Sequence, residues 1–133
     1  MSVLVPPPGV TEPLCDYCGK PAWLANGYTV KARCAGVVWA CFECNAWIEV
    51  HADSPKLEPM GRLANAELRA AKHEAHEAFD DIWKFGIMTR DQAYVWLSEE
   101  MGLPLEACHM AWFDVDDCRR VVAIMRDYER ALA

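Results

Sequence analysis

The chain has 133 residues, of which 53% are hydrophobic and 25% charged, the composition of a globular protein and not of a disordered one. Its net charge is −7 and unevenly placed, with net −1 on residues 1–56 and net −6 on residues 57–133. That balance lacks the positive footprint of a protein held mainly by phosphates, and no apolar run reaches the roughly 18 residues of a membrane span.

Residues 1–14 contain Pro6-Pro7-Pro8-Gly9 and are predicted as a flexible proline-rich tail in extended polyproline form. They have no basic segment followed by a long apolar one, so they do not read as a secretory signal. The seven cysteines are therefore expected to be reduced and the chain cytoplasmic.

Residues 15–52 are predicted as a zinc ribbon of two short hairpins. Cys15-Asp16-Tyr17-Cys18-Gly19 and Cys41-Phe42-Glu43-Cys44 are C-x-x-C knuckles separated by 22 residues. Each knuckle lets two sulfurs converge from one tight turn, and two knuckles together can close a tetrahedron around one Zn²⁺. A redox dithiol accounts for one C-x-x-C but not for two at this distance. Four thiolates leave no open coordination position, so the metal ligands Cys15, Cys18, Cys41 and Cys44 predict one structural zinc, and no catalytic residue is assigned. Cys34 lies outside knuckle spacing and reads as a small buried or half-buried side chain, with a substitute ligand as the alternative.

Between the knuckles, Trp23-Leu24 and residues 28–33 are predicted to pair around an Asn26-Gly27 turn. Residues 37–40 and 46–51 flank the second knuckle as strands, with Trp47, Glu49 and His51 on one face and Ala46, Ile48 and Val50 on the other. The ribbon is locally basic at Lys20, Lys31 and Arg33. Tryptophan is enriched at binding hot spots, so Trp23, Lys31, Arg33, Trp39, Trp47, Glu49 and His51 are candidate partner-binding residues. The competing reading of the tryptophans is that they fill a small core.

Residues 53–62 hold two prolines and a glycine and read as a linker. Beyond it the apolar period changes from 2 to 3.6, and residues 63–133 are predicted as a three-helix segment. Leu68, Ala71, Ala75, Phe79 and Ile82 line a helix over residues 63–85. Thr89 with Gln92 forms a capping box that opens a second helix, closed by Gly102 and Pro104. Asp114 caps a third, with Cys118, Val121, Val122, Met125, Tyr128 and Leu132 as its apolar stripe. Cys108 and Cys118 are expected in the core. The fold class is α+β.

Three further constellations are weaker. His73, His76 and Asp80 share a helical stripe about 60° wide, a candidate second metal site. His73-Glu74-Ala75-His76 lacks the i, i+4 histidine spacing of a metalloprotease helix. Asp114, Asp116 and Asp117 suit a first helical turn better than a magnesium site. Cys41-Phe42-Glu43-Cys44-Asn45 resembles the second knuckle of HNH-type endonucleases, which carry an Asp-His pair between their knuckles. Residues 19–40 contain no histidine, aspartate or glutamate, so that base and metal ligand are missing.

Most of the chain resembles a family of small zinc-finger-containing proteins, a zinc ribbon plus helices, of phages and prophage-bearing bacteria. The resemblance rests on Cys15-x-Tyr17-Cys18-Gly19, Trp39-x-Cys41-x-x-Cys44-x-Ala46 and His51. It continues through Gly61-x-Leu63-Ala64, Ala75-His76-x-x-Phe79-Asp80-x-x-Trp83, Arg90-x-x-Ala93-Tyr94-x-Trp96-Leu97 and Phe113-Asp114. Glu49 stands where the family pattern has a glycine. The resemblance implies the fold and a phage context in a bacterial host cell, and no activity.

Three functions follow as expectations. The first is a non-enzymatic module that binds a host or phage protein through its tryptophan edge and acidic helices. The second is nucleic-acid binding through Lys20, Lys31 and Arg33. The third is a metal-dependent nuclease or hydrolase using His51, His73, His76, Asp80 or His109. No membrane partner is expected.

Overall fold

A computed structural model describes residues 3–30, 36–51 and 53–132. The fold is α+β: a four-stranded antiparallel sheet with the four knuckle cysteines, followed by three helices. The chain divides into two compact units, Met1–Ala66 and Glu67–Ala133.

In the first unit the strands are β1 (Val3–Leu4), β2 (Trp23–Asn26), β3 (Val37–Cys41) and β4 (Ala46–Glu49), side by side in that order. Register decides which side chains meet. Leu24 lies opposite Trp39 and Trp39 opposite Ile48, so these three form a row across one face. They pack with Cys15, Ala22, Cys41, Ala46 and Leu63 into a core. Trp39 is fully buried there, and its indole N–H donates to the Leu57 carbonyl at 2.8 Å. The adjacent register positions Trp23, Ala40 and Trp47 form a row on the opposite face. Ala25, Val38 and Ala40 are buried on that face, packed against Val30, Phe42 and Trp47.

Three expectations for this half are corrected. The proline-rich segment is not a free tail: Val3 pairs with Ala25, Leu4 pairs with Leu24, and Leu14 bridges Pro21. Pairing there satisfies the backbone groups along the β2 edge that water would otherwise have to satisfy. Asn26-Gly27 is not a hairpin turn. The Asn26 side chain accepts the Tyr28 backbone N–H at 2.9 Å, and the chain enters a 3-10 turn over Gly27–Val30. That local hydrogen bond competes with strand pairing, so β2 pairs with the residues leading into the second knuckle instead. Lys31, Arg33 and Cys34 lie outside the described residues. Nor is 53–62 merely a spacer. Residues 58–64 run along β4: the His51 N–H donates to Glu58 at 2.9 Å, the Met60 N–H to Glu49 at 2.9 Å, and Trp47 and Ala64 exchange both backbone bonds. The edge of β4 is thereby closed to foreign strands.

In the second unit the helices are α1 (Ala66–Lys84), α2 (Arg90–Met101) and α3 (Val115–Leu132). Leu68, Ala75, Phe79 and Ile82 are buried along α1 as the 3.6 period requires. Phe79 meets Tyr94 edge to face at 5.0 Å between ring centroids, and Trp96 meets Tyr128 at 5.1 Å. Cys118, Val121 and Met125 are buried on α3, whereas Leu132, expected in the same stripe, is 65% exposed in its last turn. No helix among the described residues is long and apolar enough to cross a membrane.

Both predicted caps form. The Gln92 N–H donates to the Thr89 hydroxyl at 3.1 Å, while the Thr89 N–H donates to the Gln92 side chain at 3.0 Å. Asp114 and Asp117 reciprocate in the same way at 2.8 and 3.3 Å. Thr89→Ala leaves an orphan helix-end N–H and is expected to cost about 1 kcal/mol. Urea unfolding followed by helical circular dichroism measures this, and a midpoint equal to wild type would contradict it.

Candidate metal centre

The two knuckles reach the same backbone solution with different residues. In the first, the Gly19 N–H donates to the Cys15 carbonyl at 2.7 Å and the Cys15 N–H to the Lys20 carbonyl at 2.9 Å. Gly19 follows the second cysteine with φ 75°, a left-handed conformation that costs glycine little. In the second knuckle Asn45 takes the equivalent place with φ 51°. Asparagine is among the few other residues that adopt it readily. The pairing of Cys41 with Ala46 closes this turn from the sheet side, as the Leu14–Pro21 bridge closes the first.

The sheet register brings the turns together. One sulfur from each of Cys15, Cys18, Cys41 and Cys44 lies within 4.8 Å of all the others, with Cys18 Sγ and Cys41 Sγ 3.7 Å apart. A tetrahedron with Zn–S bonds of about 2.3 Å has edges of about 3.8 Å, so Cys18 and Cys41 already stand at ligand spacing and the other sulfurs lie near it. Cys15 and Cys41 are buried, Cys44 is half-buried and Cys18 is exposed.

The surroundings explain why a cation belongs there. The Lys20 backbone N–H donates to the Cys18 sulfur and is the main influence holding that thiol below its ordinary value. Burial pushes the Cys15 thiol up despite N–H donors from Tyr17 and Cys18. Burial first, and then hydrogen bonds with the other three sulfurs, pushes Cys44 up to about 12. Four thiolates cannot share this space without a positive charge among them, and a divalent ion lets all four ionise. The donor set fits one metal ion held entirely by protein sulfur.

Several braces around the centre are not legible in the sequence. Lys20 Nζ contacts Glu43 at 2.9 Å, tying one knuckle to the other. Asp16 faces Arg62 at 3.7 Å, and the Tyr17 hydroxyl accepts the Asn65 N–H at 3.2 Å. Each pair is 23 residues or more apart, so no local spacing signals it.

The candidate partner-binding residues are divided by the fold. Trp23 is 56% exposed and Trp47 half-buried on the same face. Trp39 is corrected from a surface residue to a core one, because neighbouring positions on a strand point to opposite faces. Glu49 is half-buried and His51 exposed. Lys31 and Arg33 lie outside the described residues.

His73, His76 and Asp80 do not assemble a second metal site. His73 Nε2 turns to Glu77 at 3.0 Å, and His76 Nδ1 faces Asp80 at 3.3 Å, two separate pairs one helical turn apart. Among the described residues the four cysteines are the one group of three or more metal-binding side chains with convergent ligand atoms. His109 is exposed, and Cys108 is a buried thiol whose pKa burial pushes up.

No curated protein and no solved structure matches the chain significantly. Residues 11–128, which include both knuckles and most of the three helices, match a family defined by a zinc-finger-containing domain. The chain belongs to this family of zinc-finger-containing domains.

Proposed function

We propose that the protein is a non-enzymatic binding module in which one structural Zn²⁺ holds the ribbon and the sheet presents Trp23 to a protein partner. The context we propose is that of a phage or prophage accessory protein acting on a host or phage protein in the bacterial cytoplasm. The observation that carries the reading is the setting of Trp23. Its half-exposed indole lines a groove of about 420 Å³ with Val3, Pro21 and Phe42, beside both knuckles. Val3, which lines the groove, and Val5 are both exposed at this sheet edge, which adds apolar surface there. A large indole left in water next to other apolar side chains is the usual chemistry of a protein-binding hot spot. Sulfur spacing suited to Zn–S bonds and the family both support zinc as the ion. A closed set of four thiolates supports a structural role.

The nucleic-acid reading keeps less support, because Lys20 is already paired with Glu43 at the groove mouth. The test compares zinc-loaded wild type with Trp23→Ala in capture from a bacterial lysate and in titrations with duplex and single-stranded DNA at low and high salt. We expect a protein retained by wild type and lost with Trp23→Ala, and no salt-dependent DNA binding. Equal capture by both proteins, or DNA binding that weakens steeply with salt, would count against the proposal.

A further inference from the structure

Two adjoining grooves of about 330 and 360 Å³ run between α1 and α3. Their floor is made of small or half-buried apolar side chains, Ala70, Ala71 and Ala78 from α1 and Val122 and Ala123 from α3. The walls of the first are opposite in charge, whereas the second adds Glu77 on α1 and Glu129 on α3, so its far end is acidic on both sides. Glu67 and Glu74 rise from α1, and Arg119 and Arg126 from α3. Lining residues run from Glu67 beside Arg119 at one end to Ala78 beside Glu129 at the other, so the two helices run in the same direction along the groove.

The charges are unspent. Among the described residues Glu67, Glu74 and Arg126 form no ion pair, and Arg119 reaches only Asp116 on its own helix, at 4.0 Å. A groove with one acidic and one basic wall is complementary to itself under one symmetry operation. A two-fold axis along the groove lays α1 of one copy over α3 of the other and preserves position along the axis. Glu67 then faces Arg119 of the partner copy, and Glu74 faces its Arg126, each contact occurring twice. A two-fold axis across the groove would set acid over acid. The alanine floor lets the backbones approach closely, and the second copy's side chains fill the empty volume.

We propose that this face is the interface of a symmetric homodimer in which α1 and α3 of two copies form a four-helix layer. The proposal is independent of the Trp23 groove, which lies in the other unit of the chain.

Sedimentation of the full, metal-loaded chain between about 5 and 100 µM tests it. The expected mass is about twice 15.0 kDa. Glu74→Arg alone, or Arg126→Glu alone, places like charges opposite each other twice per dimer. Each is expected to weaken association by about tenfold or more. An equimolar mixture of the two variants restores opposite charges at both places and is expected to dimerise again. Both positions are exposed, and retained helical circular dichroism with one metal per chain confirms folded variants. A monomeric wild type throughout this range overturns the proposal. So does a dimer indifferent to either reversal, or a mixture that stays monomeric.

Discussion

Stripping the metal with a strong chelator is expected to unfold the sheet unit. Four strands of two to five residues cannot hold themselves together by pairing alone. Their shared core is small, and two of its members are Cys15 and Cys41, which belong to the four-cysteine cluster that could hold the metal. Binding of a structural zinc is worth about 10–16 kcal/mol in isolated zinc-finger peptides, so its loss exceeds the few kcal/mol a unit of this size has in reserve. Amide exchange across residues 37–49 reads the effect directly, because that stretch contains β3, the second knuckle and β4. We expect protection there to fall to that of an unfolded chain and to return when Zn²⁺ is restored. Cys41→Ser should act in the same direction, since it removes one of four ligands and a buried sulfur together. Unchanged protection after verified metal removal would show that the sheet does not depend on the site.

Trp39→Ala is expected to destabilise the same unit by about 3–5 kcal/mol, the usual cost of truncating a large buried aromatic. The side chain has no exposure and forms the middle of the Leu24–Trp39–Ile48 row, so its removal leaves a cavity in the centre of the core. The Leu57 carbonyl also loses its 2.8 Å donor, which adds a penalty of about 1–3 kcal/mol if water cannot replace it. Trp39→Phe keeps much of the volume and loses the donor, so it should fall between wild type and Trp39→Ala. Trp23→Ala is the control from the opposite face. At 56% exposure it should change stability by less than about 1 kcal/mol while affecting partner capture. Urea midpoints of the three variants decide this, and equal shifts for Trp23→Ala and Trp39→Ala would contradict the division of the tryptophans.

That division marks where sequence reading reached its limit. Alternation placed Trp47, Glu49 and His51 on the side of β4 away from Ala46 and Ile48, and the structure agrees for Trp47 and Glu49, while β4 ends before His51. The same rule could not relate Trp23 to Trp39, because they stand on different strands and their relation depends on register. The assumed Asn26-Gly27 hairpin supplied the wrong partner for β2. In the structure Ala40, not Trp39, lies opposite Trp23. The helical half was more legible. Its signals are local: the capping box at Thr89, the left-handed Gly102 that ends α2, and the 3.6 period of Leu68, Ala75, Phe79 and Ile82 all act within a few residues. The histidine stripe shows the opposite limit. Helical spacing did place His73 and His76 on one side, but each met a carboxylate four residues on along the same helix.

The sequence by itself determined the four-cysteine cluster that could hold a metal ion, the α+β order and the ends of α2, because each is set by covalent spacing or by hydrogen bonds over three to four residues. Only the tertiary structure decided which tryptophan faces water, that residues 58–64 close the edge of β4, that Lys20 is held by Glu43, and that acidic and basic helix walls face each other across one groove. Those features join residues far apart in the chain. Their energies depend on strand register and helix placement, which the whole core sets and no local pattern encodes.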